Sequence, residues 1–227
     1  AEGSGVYGKF GIIVTPGYGL RIGAAVQTPT AFTMDETWTQ DGKTEFSTGK
    51  YSSYSPYGSA QYSFRSPMRA NFGLAYTLGR FAIFSADYEV CDYSQMRFRA
   101  RYNDDKDYFE DTNNSIREIF GTQHMLRLGA EIKLGTLALR GGYNMTTSPE
   151  KDFEGSYRKN FSFGFGYNSN RSFFADFAVR KNIYSNEYYM PYSDYIFNED
   201  GSIAEPVPEL LITRKDWKVL LTLGWRF

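Results

Sequence analysis

The sequence predicts an all-β fold, an antiparallel β-barrel that crosses a membrane with its strands, and three observations carry that prediction. Apolar and polar residues alternate with period two through most of the chain, as they must where successive strand side chains point to opposite faces. Aromatic residues reach 18%, with 19 Tyr, 19 Phe and 3 Trp beside 22 Gly, a mixture that favours sheet over helix. Tight connections bearing Gly and Asn take turns with long polar ones, which puts all the tight turns at one end of the sheet.

Taken in order, the strands are Val6–Val14, Leu20–Val26, Ala70–Leu78, Ala82–Val90, Leu126–Leu134, Leu137–Met145, Phe161–Asn168, Phe173–Asn182 and Trp217–Phe227, about nine in all. In the fourth, Ala82, Phe84, Ala86, Tyr88 and Val90 oppose Ser85, Asp87 and Glu89. In the last, Trp217, Val219, Leu221, Leu223, Trp225 and Phe227 oppose Asp216, Lys218, Thr222, Gly224 and Arg226. The tight turns are Pro16-Gly17-Tyr18-Gly19, Leu78-Gly79-Arg80, Leu134-Gly135-Thr136 and Asn168-Ser169-Asn170-Arg171. The long segments are Pro29–Tyr57, Gln95–Gly121, Thr146–Lys159 and Ser185–Arg214, with hairpin signals at Asp41-Gly42 and Asp200-Gly201. Pro67 interrupts the run from Tyr57 to Leu78 and implies a bend, which shapes either a pocket or the rim. Helix is expected only as a short piece in Ser115–Phe120. No composition break divides residues 1–227, which read as a single domain.

Other classes fall away. Lys+Arg 25 against Asp+Glu 26 gives a net charge of -1, which excludes a protein built to bind nucleic acid electrostatically. Mean hydropathy is -0.48, and no stretch approaches the roughly 20 apolar residues of a spanning helix. The opening AEGSGVYGKF lacks the basic and apolar parts of a signal peptide, so any such signal is expected to be removed or to lie outside this chain. Cys91 stands alone, which excludes a disulfide framework and a cysteine metal cluster. No cofactor is expected, and no nucleophile–base constellation marks an enzyme.

Alternation alone fits a soluble sandwich or a lipocalin-like barrel as well as a membrane barrel. Three features favour lipid. The polar face is heavily charged and interspersed with Gly73, Gly129, Gly142, Gly164 and Gly224. Aromatics gather towards strand ends at Tyr76, Tyr88, Tyr143, Tyr167, Trp217 and Trp225, where interfacial girdles sit. The chain closes on Trp225-Arg226-Phe227, a terminal aromatic of the kind by which barrels are recognised for insertion. Trp217 and Phe227, at roughly 3.3 Å per residue and a strand tilt of about 40°, then span about 25 Å of height, that of the apolar band. In hydrocarbon only closure satisfies a sheet, so a barrel follows.

Several side chains are candidates for more than structure. Asp87, Glu89, Arg127, Glu131, Arg140, Asp176 and Arg180 share the polar face, as an interior charge network or a site for a substrate headgroup. His124 falls on the apolar face near the loop end, as a girdle residue or, with no Ser fixed opposite it, a catalytic base. The acidic run Asp104, Asp105, Asp107, Glu110 and Asp111 reads as a solvated loop or a calcium site without the EF-hand spacing.

The run Tyr18-Gly-Leu-Arg-Ile-Gly-Ala-Ala-Val-Gln-Thr-Pro29 resembles the strand ending in a Ser/Thr-Pro step of the FadL/TodX family of outer-membrane fatty-acid and hydrocarbon channels. Ser66–Tyr76 followed by Arg80–Ser94 is similar to that family's hairpin of Pro, Gly-x-x-Tyr, short turn and Asp-Tyr. The resemblance implies a fourteen-stranded barrel in the Gram-negative outer membrane, of which this chain is the C-terminal portion. The family's N-terminal plug and kinked early strand have no counterpart here, which leaves strand edges unpaired. It implies passive uptake of hydrophobic molecules, with the C-terminus periplasmic and the long loops extracellular. Tyr188, Tyr189, Met190, Tyr192, Tyr195, Ile196 and Phe197 then form a candidate capture loop, and Trp225 and Phe227 the assembly signal. Expected partners are membrane lipid, lipopolysaccharide, a hydrophobic small molecule and the outer-membrane assembly machinery. The alternative is a non-transporting barrel whose Tyr-rich loops dock partner or secreted proteins.

Overall fold

The computed structural model describes residues 1–101, 106–151, 156–169, 173–189, 195–198, 200, 202–206 and 210–225. Its first strands are β1 (Glu2–Val6), β2 (Lys9–Gly17), β3 (Leu20–Gln27), β4 (Ala31–Trp38), β5 (Asp41–Phe46) and β6 (Gly49–Tyr54). Next come β7 (Gly58–Arg65), β8 (Arg69–Leu78), β9 (Ala82–Asp92), β10 (Arg97–Ala100), helix α1 (Lys106–Ile119) and β11 (Thr122–Leu134). The chain continues through β12 (Leu137–Thr147), β13 (Tyr157–Asn168), β14 (Phe173–Tyr189), β15 (Tyr195–Phe197), β16 (Ile203–Pro206) and β17 (Leu210–Trp225).

The nine expected strands form one nine-stranded sheet, in the order β2-β3-β8-β9-β11-β12-β13-β14-β17, with every ladder antiparallel. From β3 to β13 the ladders keep register without a slip, so alternation on one strand is carried to the next. Ile132, Leu139, Phe165, Phe177 and Leu221 lie in one row across five strands. On the other face Asp87, Arg127, Asn144, Asn160, Asn182 and Asp216 lie in another. The tight turns carry the left-handed backbone they need: Gly17 (φ 115°), Tyr18 (φ 51°) and Gly19 (φ 82°) join β2 to β3, and Gly79 and Gly135 serve the next two. These turns mark a turn end; the long connections mark a loop end.

The sheet is one layer thick. Apart from α1, substantial contacts between described elements run only between hydrogen-bonded neighbours. Only Ala82, Cys91 and Ile116 are buried apolar residues among those described, while Phe10, Phe72, Leu128, Phe163, Val219 and Leu221 all stand exposed on the apolar face. A soluble domain cannot leave such a face bare, because burial of apolar surface is the main favourable term in folding. Hydrocarbon is the medium that covers it. Girdles bound the face at both ends, with Tyr88 stacked on His124 and Tyr143 tilted against Phe161 towards the loops, and Phe173 against Trp225 at the turn end.

Strands β2, β3, β8 and β9 do not stop at the loop end. They continue, in the same lateral order, as a four-stranded sheet β1-β4-β7-β10. A crease separates the two sheets at Gly8, Thr28–Thr30, Ser66–Met68 and a 3-10 turn at Tyr93–Gln95. Two hydroxyl-Pro steps build it alike. The Thr28 amide donates to the Gly8 carbonyl (2.9 Å), and the Gly8 amide donates to Thr28 Oγ1 (2.8 Å) instead of the carbonyl turned away before Pro29. Likewise the Ser66 amide donates to the Thr30 carbonyl (3.0 Å) while the Thr30 amide donates to Ser66 Oγ (2.9 Å), ahead of Pro67. The bend expected at Pro67 is thus half of a repeated device.

Three expectations need correction. Val6–Val14 is broken at Gly8, where the crease cuts it. Helix α1 begins at Lys106 and has 14 residues, so it absorbs Asp107, Glu110 and Asp111 of the run read as a loop. Asp104 and Asp105 lie outside the described residues, and among those described no three acidic, His or Cys side chains gather as a metal site. The hairpin assigned to Asp41-Gly42 exists, but Asp41 and Gly42 begin β5 and the turn is at Ser47-Thr48. Asp200 does sit in the connection between β15 and β16, where its carboxylate accepts from the Ser202 amide at 2.9 Å.

Two predictions follow from these placements. Leu221→Arg puts a charge among Phe177 and Phe165 at mid-height and should cost about 2–4 kcal/mol in refolding into vesicles, while Thr222→Arg, facing Asp176, should cost less than 1 kcal/mol by the same urea titration. Ser66→Ala leaves the Thr30 amide without its acceptor beside a buried side chain and should cost about 1–3 kcal/mol, with Ser66→Thr restoring most of it.

Candidate functional site

On the polar face the charges meet in two clusters rather than one network. Near the crease, Glu89 lies between Arg127 (3.0 Å) and Arg69 (3.7 Å) above buried Cys91. Towards the turn end, Glu131 accepts from Arg140 Nε (2.6 Å) and pairs with Lys133 (3.3 Å), and Arg140 also binds Asp176. These side chains lie over glycine: a Cβ on Gly166 would stand 2.6 Å from Asp176 Oδ1, which is why the polar face is rich in Gly. Of the seven expected members, Asp87 and Arg180 join neither cluster. Asp87 lies over Gly73, and the Nε of Arg180 is buried without a hydrogen-bond partner. The physical reason lies in the pairing: Arg127, which faces Asp87 in register, reaches to Glu89 instead, and Arg180 faces Lys218, a like charge. The row of Asp87 and Arg127 continues as Asn144-Asn160-Asn182, closed by a 2.9 Å bond from Asn182 to Asp216.

A second site lies at the loop end and was not foreseen as such. Phe32, Phe64 and Phe98 occupy one row of the small sheet, with Phe64 and Phe98 centroids 4.9 Å apart. Phe109 of α1 stacks on Phe98 (5.8 Å) and meets Tyr62 (5.8 Å), so the helix roofs one end of this aromatic floor. The Tyr62 hydroxyl donates to Glu36 Oε1 at 2.9 Å; burial and that carboxylate hold its ionisation above the usual phenol range. Asn113 fixes the helix to the sheet edge: its Oδ1 accepts from the Phe98 amide (2.7 Å) and its Nδ2 donates to the Phe98 carbonyl (2.8 Å). One side chain thus replaces a neighbouring strand on β10. Lys151 Nζ donates to the Arg117 carbonyl at 2.6 Å and satisfies the C-terminal turn.

Between β10 and α1 lies a cavity of about 440 Å³, with Phe98, Ala100 and Phe109 as its apolar part and Arg97, Arg99, Arg101, Lys106 and Arg117 around it. It has the size of a small-ligand site, apolar in the middle and cationic at the rim. Its sequence signal was the spacing Phe109, Asn113, Ile116 and Phe120, one face of a helix.

The expected capture segment is only partly within the described residues. Tyr188 and Tyr189 extend β14, paired with Leu211 and Leu210, and Tyr195, Ile196 and Phe197 form β15 against β16, so these five belong to strands where an open loop was expected. Strand β14 runs past the loop boundary because Leu210–Ile212 offer it a β-forming partner after one bulge. Met190 and Tyr192 lie outside the described residues, as does Phe227; Trp225 packs its ring 5.4 Å from Phe173. His124 Nδ1 lies 2.6 Å from the Tyr88 hydroxyl.

Asn113→Ala should release the Phe98 amide to solvent exchange and open residues 106–119 to protease, while amides of β11–β14 keep their protection.

No protein-family model matches the chain, and no curated protein matches it by sequence. Among solved structures it is similar to the CymD monoaromatic hydrocarbon channel, with a TM-score of 0.50 and 15% identity over 79% of this chain, and it spans 47% of that protein. A FadL homologue of Pseudomonas aeruginosa aligns over 97% of this chain and 66% of its own length, at 12% identity and a TM-score of 0.42. The chain has the fold of a FadL-like outer-membrane barrel, as one part of the wall.

Proposed function

Starting from a FadL-like barrel wall, we propose that the protein is an outer-membrane channel for passive uptake of hydrophobic molecules. The reading rests on one observation above the others: an aromatic floor of Phe32, Tyr62, Phe64, Phe98 and Phe109 beside a cavity of about 440 Å³, at the loop end of a barrel sheet. Such a floor offers apolar solutes a place to leave water by the hydrophobic effect and ring stacking, with no covalent chemistry required. The protein is then no enzyme. The loop end faces the outside and receives the solute; the turn end and C-terminus face the periplasm, where Trp225 and Phe227 serve the assembly machinery. The segment Tyr188–Phe197 supplies a second capture surface. Residues 1–227 supply nine wall strands to a barrel of about fourteen, in one domain.

A second reading has its own support. The hairpin β5–β6 pairs only with itself among the described residues and exposes Phe46, Tyr51 and Tyr54, aromatic material suited to docking a partner protein at the surface.

The test is uptake. Phe64→Ser with Phe98→Ser should lower accumulation of a labelled fatty acid or hydrocarbon by intact cells at least about tenfold with the barrel assembled, since each buried ring is worth about 1.5–3 kcal/mol. Unchanged uptake favours docking. Thr48→Cys, at the β5–β6 turn, should react with a membrane-impermeant maleimide on intact cells; labelling only after outer-membrane rupture would reverse the orientation.

A further inference from the structure

The outward face of the large sheet is apolar from β2 to β17, and on the described residues its cations are confined to one place. Lys159 of β13, Lys181 of β14 and Lys215 of β17 share the face of Phe161, Val179 and Val219, at its loop end. Lys159 and Lys215 both pair in register with Ile183, which sets their Cα atoms about 10 Å apart across two ladder steps. Lys181 sits one row nearer the membrane, diagonal to both at about 7 Å. The other six strands carry no cation at this level of their outward face.

Chance snorkelling would scatter lysines round the rim and pair some with acids. Here three like charges crowd three adjacent strands, and none has a carboxylate within ion-pair distance among the described residues. Nor does the other face neutralise them: behind them Arg158 and Arg214 stack on Tyr184, at 5.8 and 4.4 Å from its centroid. Like charges at diagonal positions repel, so the cluster calls for an anion supplied from outside. Two rings hold ammonium groups at the boundary: Trp217, which faces Lys181 in register, and Tyr157, two residues nearer the loop end than Lys159. Lys181 Nζ lies 5.1 Å over the Trp217 ring and Lys159 Nζ 3.5 Å over the Tyr157 ring, each stem along the apolar face and each head at its upper edge.

We propose that Lys159, Lys181 and Lys215 form a site for the phosphates of a phosphorylated glycolipid in the outer leaflet, with its acyl chains along Phe161, Val179, Val219 and Leu221. The site rests on the orientation given above, in which the loop end faces outward. Acyl chains and phosphates meet at one height in such a lipid, and here an apolar wall and a triad of ammonium groups meet at one height. A free inorganic anion would use only half of that arrangement.

The experiment measures lipid retention by the full-length protein in detergent, by native mass spectrometry with diphosphorylated lipid A, the same lipid A after phosphatase treatment, and phosphatidylglycerol. The protein should retain diphosphorylated lipid A. Replacing all three residues (K159Q, K181Q, K215Q) should weaken retention roughly a hundredfold, since each lysine near an anionic lipid surface is worth about fivefold, and the K159R, K181R, K215R protein should keep it. Phosphatase-treated lipid A should bind the unaltered protein only as weakly as intact lipid A binds the Gln variant. This arm needs no variant, so a folding defect cannot decide it. Equal retention of phosphatase-treated lipid A, of phosphatidylglycerol, or by a folded Gln variant overturns the proposal. Hydrocarbon uptake and Thr48→Cys labelling are separate readouts, so failure of the unaltered protein to retain lipid A, with both of these as expected, sinks this site alone.

Discussion

Everything in this molecule depends on the demand that hydrocarbon makes of a polypeptide backbone: each N–H and C=O must find its partner inside the protein. The continuous register from β3 to β13 is the answer to that demand. Register in turn converts a period of two in the sequence into two chemically different surfaces, since a slip of one residue on any strand would carry charge into lipid. The glycines of the polar face, the girdles and the left-handed turns are adjustments made within that frame. The frame still has two ends: β2 and β17 are the edges of the nine-stranded sheet among the described residues, and each presents donors and acceptors that a closed wall has to engage.

Where the chain leaves the hydrocarbon the demand relaxes, and the structure changes character at once. At the crease the ladder is interrupted, and the hydroxyls of Thr28 and Ser66 take the place of carbonyls that the following prolines turn away. Beyond it the strands have a half-buried aromatic face, with Phe98 packed under Phe109 of α1 and Asn113 sealing the free edge of β10. A coreless wall and a small packed module are thus made from the same four strands. The aromatic floor sits directly above the wall because Thr28-Pro29 and Ser66-Pro67 put the bend there.

This division also explains what was legible beforehand. The nine wall strands, and the faces of five of them, could be read from alternation, because in a single-layer sheet no tertiary packing competes with the pattern; only the first was drawn through the crease at Gly8. The crease was half legible: Pro67 marked a bend, but nothing in the sequence paired Thr30 with Ser66. Above the crease the signals failed. The segment Lys106–Ile119 is rich in Asp, Asn, Ser and Thr, poor helix formers, and is helical through Phe109 and Ile116 packing on the sheet. Asp41-Gly42 carried a turn signal, yet the register of β5 with β6 placed the turn at Ser47-Thr48. Charged residues were assigned to the correct face, but which of them touch depends on rotamers and glycine gaps, so Asp87 and Arg180 could not be separated from Glu89 and Arg140 by pattern.

The bare apolar face has a consequence for how such a chain changes over time. A packed interior demands shape: a buried Leu replaced by Phe must find room, and the cost of misfit limits which substitutions survive. Leu221, Val219 and Phe163 meet fluid chains that fit themselves to any contour, so at these positions one apolar side chain serves about as well as another. The code of the wall is therefore degenerate, written in polarity and not in identity. Two barrels can drift apart nearly to the level of chance while the ladder that defines them stays in place, and an identity of 15% beside a shared architecture is the ordinary outcome of that freedom.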